Sequence, residues 1–397
     1  ACGDTDDGQH DDRRADPGLR RTGWPLVFVR RLQCTDFRNY ASLDWAIPAG
    51  YVVVIGANGQ GKTNLAEMIQ FLATGKSHRT TVDRRMIRFD HDALRVTADF
   101  RRADLGECSL TTHLSRDGQR RLELNGVVRP AQSDVLGYLN CALFSALDVD
   151  LIAGDPAHRR RHLNEELVKA YPRYYDDLAA YRRALAQRNR LLRDAQGERC
   201  LPPHALGFTH QFARAGGRVL ERRLRYVAEL KPMVEEVYGR VAGTDGVLTL
   251  RYATTAPGLG EGGESESTEA LLRALAEVEA EELRRGMTLV GPHRDDLSFS
   301  LQGKDLRRYG SRGQQKTAAI ALRLAEALRS ARTDEAPVLV LDDIMSELDR
   351  SRRERLVAEL DPFDQVIIIG TTESDFVPGL LDRASRYMVD AGRLTAG

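Results

Sequence analysis

No apolar run in this 397-residue chain comes near the roughly 20 residues that a bilayer-spanning helix needs. The longest, such as Tyr51–Ile55 and Val338–Leu341, have the length of strands, which excludes a helical membrane span and leaves no membrane partner to expect. Cysteine is scarce as well. Cys2, Cys34, Cys108, Cys141 and Cys200 are odd in number, scattered and free of any C-x-x-C pair, a pattern that argues against a zinc ribbon or a disulfide framework. The expected compartment is therefore reducing, that is, cytoplasmic. Lysine is rare too: six of the 58 cationic residues are Lys, so 52 are Arg. Arginine offers planar, bidentate contacts to phosphate, although GC-rich codon usage produces the same bias.

The balance of 58 cations and 58 anions hides a segregation of charge. Residues 158–231 hold 17 Lys+Arg against 8 Asp+Glu, and residues 261–282 hold eight Glu against one Arg. Residues 1–22 carry six Asp and four Arg with almost nothing apolar, so residues 1–25 read as a disordered leader. Strand patterning follows over Leu26–Leu32 and Trp45–Ile47, then a buried-strand run at Tyr51–Ile55 and a helix from Lys62 to about Ala73. Residues 94–130 read as antiparallel, with Asp117-Gly118 and Asn125-Gly126 as hairpin turns. After Pro156 the period becomes helical to about residue 240, with breaks expected at Pro172, Gly197, Pro202-Pro203 and Gly216-Gly217. A strand at Val247–Ala253, a loop at Thr254–Ser267 and a helix at Thr268–Arg285 complete this part. Strand and helix signals then alternate, with central-strand runs at Val338–Leu341 and Gln365–Ile369 around a helix at Arg350–Leu360. The expected architecture is an α/β fold over 26–155 and 286–397, with a helical arm inserted at 156–285.

Three motifs carry chemistry. Gly56-Ala57-Asn58-Gly59-Gln60-Gly61-Lys62-Thr63 is a complete G-x-x-x-x-G-K-T set between an apolar strand and a helix. Its glycines let backbone N–H groups turn around phosphates, Lys62 reaches the β and γ phosphates, and the Thr63 hydroxyl suits Mg²⁺. Asn64 extends the cradle into the helix start, where the backbone favours an anion. Val338-Leu339-Val340-Leu341-Asp342-Asp343 ends an apolar strand in two carboxylates: Asp342 is placed to hold Mg²⁺ and Asp343 to orient or deprotonate an attacking water. Between them, Ser311-Arg312-Gly313-Gln314 opens a helix about 30 residues before that strand, and Ser346-Glu347-Leu348-Asp349 follows it. Two further patterns are set aside. Gly258–Gly263 fits G-x-G-x-x-G, but Glu261, Glu264 and Glu266 would repel a pyrophosphate and there is no surrounding βαβ repeat, so it reads as a loop. His158 and His162 share a helical face, but the intervening arginines disfavour a cation, so both read as surface residues.

Together these motifs resemble the ABC-type, SMC-like ATPase heads. The resemblance implies a mixed β-sheet with a P-loop, ATP and Mg²⁺ as cofactors, and two heads that clamp two ATP molecules. Ser311, Gly313 and Gln314 of one protomer would complete the site of the other, with Lys62, Asp343 and Ser311 carrying hydrolysis. Within that class the chain resembles the bacterial recombination mediators. That likeness rests on Leu32–Tyr40, Thr74–Arg79, Gly154-Asp155-Pro156 with Arg159-Arg160-Arg161, Gly291–Leu297, Ser311–Gln315 and Asp342–Asp349. It implies an ATP-dependent homodimer on double-stranded DNA and ss/ds junctions, RecR and RecO as partners, and RecA loading downstream, with weak ATP hydrolysis as a reset. Two positions depart from the pattern: Ser145-Ala146-Leu147-Asp148 replaces a Pro-Glu-containing loop where heads often carry a Gln, and Thr371-Thr372 stands where transporters carry a switch His. A transporter ATPase would carry L-S-G-G-Q, that Gln and that His. A long-armed chromosome organiser needs far more than the roughly 50 Å that 35 helical residues span.

Overall fold

The computed structural model describes residues 27–397 apart from 172, 199, 204, 244–245, 258–262 and 334–335. The expected leader and most of the Gly258–Gly263 run lie outside the described residues. Alternating apolar and polar residues build β1 (Val27–Phe37) and β2 (Tyr40–Ala46), followed by the apolar β3 (Gly50–Ile55) and α1 (Lys62–Thr74). Next come β4 (Ala93–Arg102), β5 (Gly106–Ser115), β6 (Arg120–Leu124), β7 (Val127–Arg129) and β8 (Cys141–Ser145). The helices α2 (Asp150–Ala153), α3 (Pro156–Ala170), α4 (Tyr174–Asp194) and α5 (Ala205–Ala242) lead to β9 (Leu248–Ala253) and α6 (Glu264–Arg285). The chain closes through β10 (Asp296–Leu301), β11 (Lys304–Asp305), α7 (Leu306–Tyr309), α8 (Arg312–Thr333), β12 (Val338–Asp342), α9 (Arg350–Glu359), β13 (Gln365–Gly370), α10 (Pro378–Leu381), β14 (Ala384–Asp390) and β15 (Arg393–Ala396).

These strands form three sheets. One is antiparallel, in the order β2-β1-β4-β5-β6-β7, and turns at Gly118 (φ 92°) and at Asn125-Gly126 (φ 52° and 76°) as the D-G and N-G pairs predict. The second, β15-β14-β3-β13-β12-β8, is parallel except for its β15 edge, and the third is β11-β10-β9. Period-two alternation divides the parallel strands between two cores. Val52, Val54, Val338, Val340, Ile367 and Ile369 pack with the antiparallel sheet and with Leu65, Met68 and Ile69 of α1. Tyr51, Val53, Leu339, Leu341, Val366 and Ile368 pack with α5 and α8. Neither face of β3, β12 or β13 meets water, which is why these three strands read as unbroken apolar runs.

The helices of 156–285 share the second core with the parallel sheet. Arg159 on α3 holds Asp296 with two hydrogen bonds of 2.8 and 2.7 Å, and the buried Arg223 on α5 donates to the Pro292 carbonyl (2.6 Å), Asn164, Tyr174 and Tyr252. The Gly291–Leu297 motif is thus a knot that ties the helices to β10.

Two expectations are corrected. Gly216-Gly217 does not break a helix; it lies inside the 38-residue α5. A Cβ at Gly216 would stand 2.9 Å from Leu271 Cδ1 and one at Gly217 2.3 Å from Thr268 Oγ1, so the pair is there to let α6 approach. The helix α6 starts at Glu264, four residues before the expected Thr268, because Glu264 and Glu266 in its first turn suit the helix dipole that Arg284 and Arg285 complement at the other end.

Candidate nucleotide-binding site

The loops that follow β3, β8, β12 and β13 emerge at one edge of the parallel sheet, the carboxyl edge where α/β folds hold ligands. The P-loop begins there. Gly59 (φ 80°) and Gly61 (φ 116°) take left-handed conformations, and a Cβ on Gly56 would lie 2.3 Å from the Val389 carbonyl oxygen. The Lys62 ammonium is buried and donates to the carbonyls of Gly56 (2.6 Å) and Ala57 (2.9 Å). Burial lowers its pKa, against the opposing pull of Asp343, Asp342 and Asp375. The Asn64 N–H donates to the Gly61 carbonyl (3.0 Å), and the first turn of α1 otherwise has neither a side-chain cap nor an acidic residue, which suits an anion. The loop is braced from outside: Asn39 donates to the Gln60 carbonyl (2.8 Å) and accepts from Asn64 Nδ2 (2.7 Å), and the backbone of Ala391 and Gly392 holds Gln60.

The second motif meets the first directly. Thr63 Oγ1 donates to Asp342 Oδ1 at 3.1 Å. Burial raises the Asp342 pKa to about 6, the Thr63 hydrogen bond opposes the rise, and the neighbouring Asp343 charge adds to it. Asp343 adopts φ 57°, donates its N–H to the Ile369 carbonyl, and has a buried Oδ1 without a hydrogen-bond partner. A hydroxyl beside a carboxylate, with a second carboxylate next to it, is a hard oxygen set of the kind Mg²⁺ takes together with phosphate. The residues fit ATP and Mg²⁺.

The third motif stands apart. Ser311 and Gln314 form a reciprocal cap, Ser311 N to Gln314 Oε1 at 2.9 Å and Gln314 N to Ser311 Oγ at 3.2 Å. Ser311 is exposed, and its remaining hydrogen bond runs to Gln315 within the same turn. The helix it opens, α8, packs on the face of the parallel sheet opposite α1. Ala57, Asn58 and Gly59 are likewise exposed. Within one chain, Lys62, Thr63, Asp342 and Asp343 come together and Ser311, Gly313 and Gln314 do not join them in any hydrogen bond among the described residues.

Some residues near the site had no role in the sequence reading. The Arg79 charge acts on Asp342 and its side chain donates to Asn64 (2.8 Å); its place in Thr74–Arg79 was the available signal. Asp375 accepts from the N–H groups of Thr371 and Thr372 (both 2.9 Å), which organises the loop where a switch His was missing. At the other departure, Asp148 folds back to accept from Ser145 N (2.7 Å), and Leu147 is exposed. His158 is on the surface as expected, but His162 is not. It lies 2.8 Å from Glu326; burial opposes its protonation, yet the Glu326 carboxylate outweighs this and raises its pKa. Glu166 completes a His-Glu-Glu set of metal-ligand type. However, Arg323 donates into it at 2.6 Å to Glu326 and 3.2 Å to Glu166, so a guanidinium supplies the positive charge there. Much of the arginine excess on the inserted helices is also spent internally, Arg188 on Glu282 and Arg218 and Arg222 on Asp177.

The RecF/RecN/SMC N-terminal domain family matches residues 28–387. The DNA replication and repair protein RecF of Chloroflexus aurantiacus is 40% identical over 397 aligned residues, covering 94% of this chain and 100% of its own. That of Herpetosiphon aurantiacus is 36% identical, covering 92% and 99%. Among solved structures, the recombination mediator protein RecF bound to ATP, described in the RecFOR pathway, superposes with a TM-score of 0.83 at 28% identity over 94% of this chain and 98% of that one. The Smc head domain of Pyrococcus furiosus, at 15% identity and a TM-score of 0.55, shares the fold. With its P-loop and paired carboxylates on an ABC-type ATPase head, and with relatives that match it over more than nine-tenths of its length, the chain belongs to the RecF family.

Proposed function

We propose that this chain is a cytoplasmic, ATP-dependent DNA-binding protein of recombinational repair and replication restart. ATP joins two heads, built from 26–155 and 286–397, into a clamp on double-stranded DNA near single-strand gaps, with the 156–285 helices as a short arm. With RecO and RecR it promotes RecA loading, and weak hydrolysis reopens the dimer.

The observation that carries this reading is the division of the site. The P-loop and Asp342 meet within one protomer at 3.1 Å, while the Ser311 cap lies on a helix packed against the opposite face of the sheet. A triphosphate cradled by residues 56–64 therefore needs a second copy to bring Ser311, Gly313 and Gln314 against it. Bound Mg²⁺, held by Thr63 and Asp342, supplies charge neutralisation at the phosphates. Lys62 adds a fixed cation, and Asp343 orients or deprotonates the attacking water with its unpartnered oxygen. Light scattering of the wild type and of Ser311→Arg with ATP, ADP and no nucleotide tests the reading. The wild type doubles its mass with ATP alone, and the variant binds ATP but remains single; a variant that still dimerises overturns the division of the site.

A further inference from the structure

We infer that the rigid turn Arg88–His91 presents Phe89 as a stacking contact for the unpaired bases at a gap in the DNA, with Arg84 and Arg85 beside it in sequence as phosphate contacts. The inference rests on the DNA-binding reading above and assigns it a place on the head.

Phe89 is 85% exposed, the most exposed of the large apolar residues among those described, and its ring makes no aromatic or cation contact there. A ring left in water is ordinary on a loose loop; this loop is not loose. His91 N donates to the Arg88 carbonyl (3.2 Å) to close a turn in which Asp90 has φ 62°. Arg88 N donates to the Asp36 carbonyl (2.8 Å), and Arg88 and His91 both pair with the Asp36 carboxylate, at 3.5 and 3.3 Å. Arg116 holds the His91 carbonyl twice, at 3.0 and 2.6 Å. Immediately before the turn, Met86 and Ile87 are buried and anchor the segment, and Phe37 bridges to Ile87. The ring is thus displayed at little cost in side-chain ordering on binding.

The surrounding charge favours nucleic acid. Arg84 and Arg85 are exposed and make no ion pair among the described residues, whereas nearby Asp83 is neutralised by Arg120 (2.7 Å) and Asp36 by Arg88 (3.5 Å). Asp90 and Asp92 remain as opposing charges at the turn itself, so the attraction comes from the arginine side. An exposed aromatic with exposed arginines four and five residues before it is the combination that stacks on bases and tracks a phosphate backbone.

The turn is also wired to the nucleotide. Arg38 N donates to the Met86 carbonyl and Arg38 Nη1 to the Arg85 carbonyl (2.8 and 2.7 Å), while the same guanidinium holds Glu67 of α1 at 2.8 and 2.6 Å. The next residue, Asn39, braces the P-loop at Gln60. One side chain thus links the P-loop helix to the segment that carries the turn.

The test is a salt-titrated binding assay with gapped duplex DNA, using the full chain with and without ATP. Phe89→Ala should weaken binding about tenfold, the scale of a stacked base, at an unchanged salt slope. The double variant Arg84→Ala, Arg85→Ala should reduce the slope, by about 0.9 for each phosphate that is no longer neutralised. Phe89→Trp should retain affinity, and Phe89→Leu should behave as Phe89→Ala. A Phe89→Ala protein that binds DNA as the wild type does overturns the inference and leaves the DNA-binding reading intact. Equal affinity of Phe89→Leu and the wild type overturns stacking. A wild type that binds no DNA in either nucleotide state overturns the reading itself, and this inference with it.

Discussion

Thr63 and Asp342 lie 279 residues apart in the chain, and their side chains meet through one hydrogen bond of 3.1 Å. That contact joins the first helical turn after the P-loop to the end of β12 and leaves a buried carboxylate poised for a cation. Burial sets its pKa at about 6, above the roughly 3.9 of a free Asp. Between these values the folded chain holds a proton that the unfolded chain has released. Protonated Asp342 therefore favours the folded state fully below about pH 4, and this contribution is lost as pH rises through about 6. Asp342→Asn should raise the melting temperature at pH 7.5 and leave it unchanged near pH 4, as read by thermal denaturation. The Mg²⁺ dependence of ATP affinity in the wild type should weaken about tenfold per pH unit below about 6, and a Mg²⁺ titration at pH 7.5 and 5 checks it.

Lys62→Met should abolish nucleotide binding in an equilibrium assay while the far-ultraviolet circular dichroism stays that of the wild type. The ammonium is replaced by an apolar group of similar length, so the Gly56 and Ala57 carbonyls lose a donor but the helix keeps its packing.

Gly217→Val should destabilise the fold by about 1–3 kcal/mol in chemical denaturation, the scale of overpacking. The obstacle is Thr268 Oγ1 at 2.3 Å, backed by the Thr268 nitrogen at 3.0 Å and the Glu264 carbonyl oxygen at 3.1 Å, two backbone atoms that cannot rotate away. Nucleotide affinity should not change, since the clash is between α5 and α6.

Glu282→Ala should cost about 3–5 kcal/mol, because it strands the Arg188 guanidinium, 2% exposed, without its 2.6 Å partner. The double variant Arg188→Met, Glu282→Leu should recover most of that loss in the same denaturation assay, since no buried charge then remains unpaired.

The nucleotide motifs were legible because their chemistry is local: a glycine loop between a strand and a helix, and carboxylates at a strand end, are each contained in eight residues or fewer. The hairpins of the antiparallel sheet announced themselves through D-G and N-G. What a linear reading missed was set by partners distant in sequence. Gly216-Gly217 spells a break until α6 arrives to fill the space where side chains would be. His162 looks like a surface residue until Glu326, 164 positions later, comes within 2.8 Å. Likewise the arginines of 158–231 advertise a basic surface, and several are spent on acids of other helices. Arg161, Arg173, Arg182, Arg183, Arg193 and Arg214 do remain exposed.

The strand order β15-β14-β3-β13-β12-β8 interleaves the two ends of the chain: β3 stands between β14 and β13, and β8 pairs with β12. During synthesis, a ribosome that has released everything up to residue 337 has produced β3 and β8 without a single neighbour of their own sheet. Both keep unpaired strand edges until β12, β13 and β14 emerge, so the nascent chain carries aggregation-prone edges until then. A message truncated anywhere before β12 should yield an insoluble product with no nucleotide site, and fusions that delay the carboxyl terminus should increase the demand for chaperones.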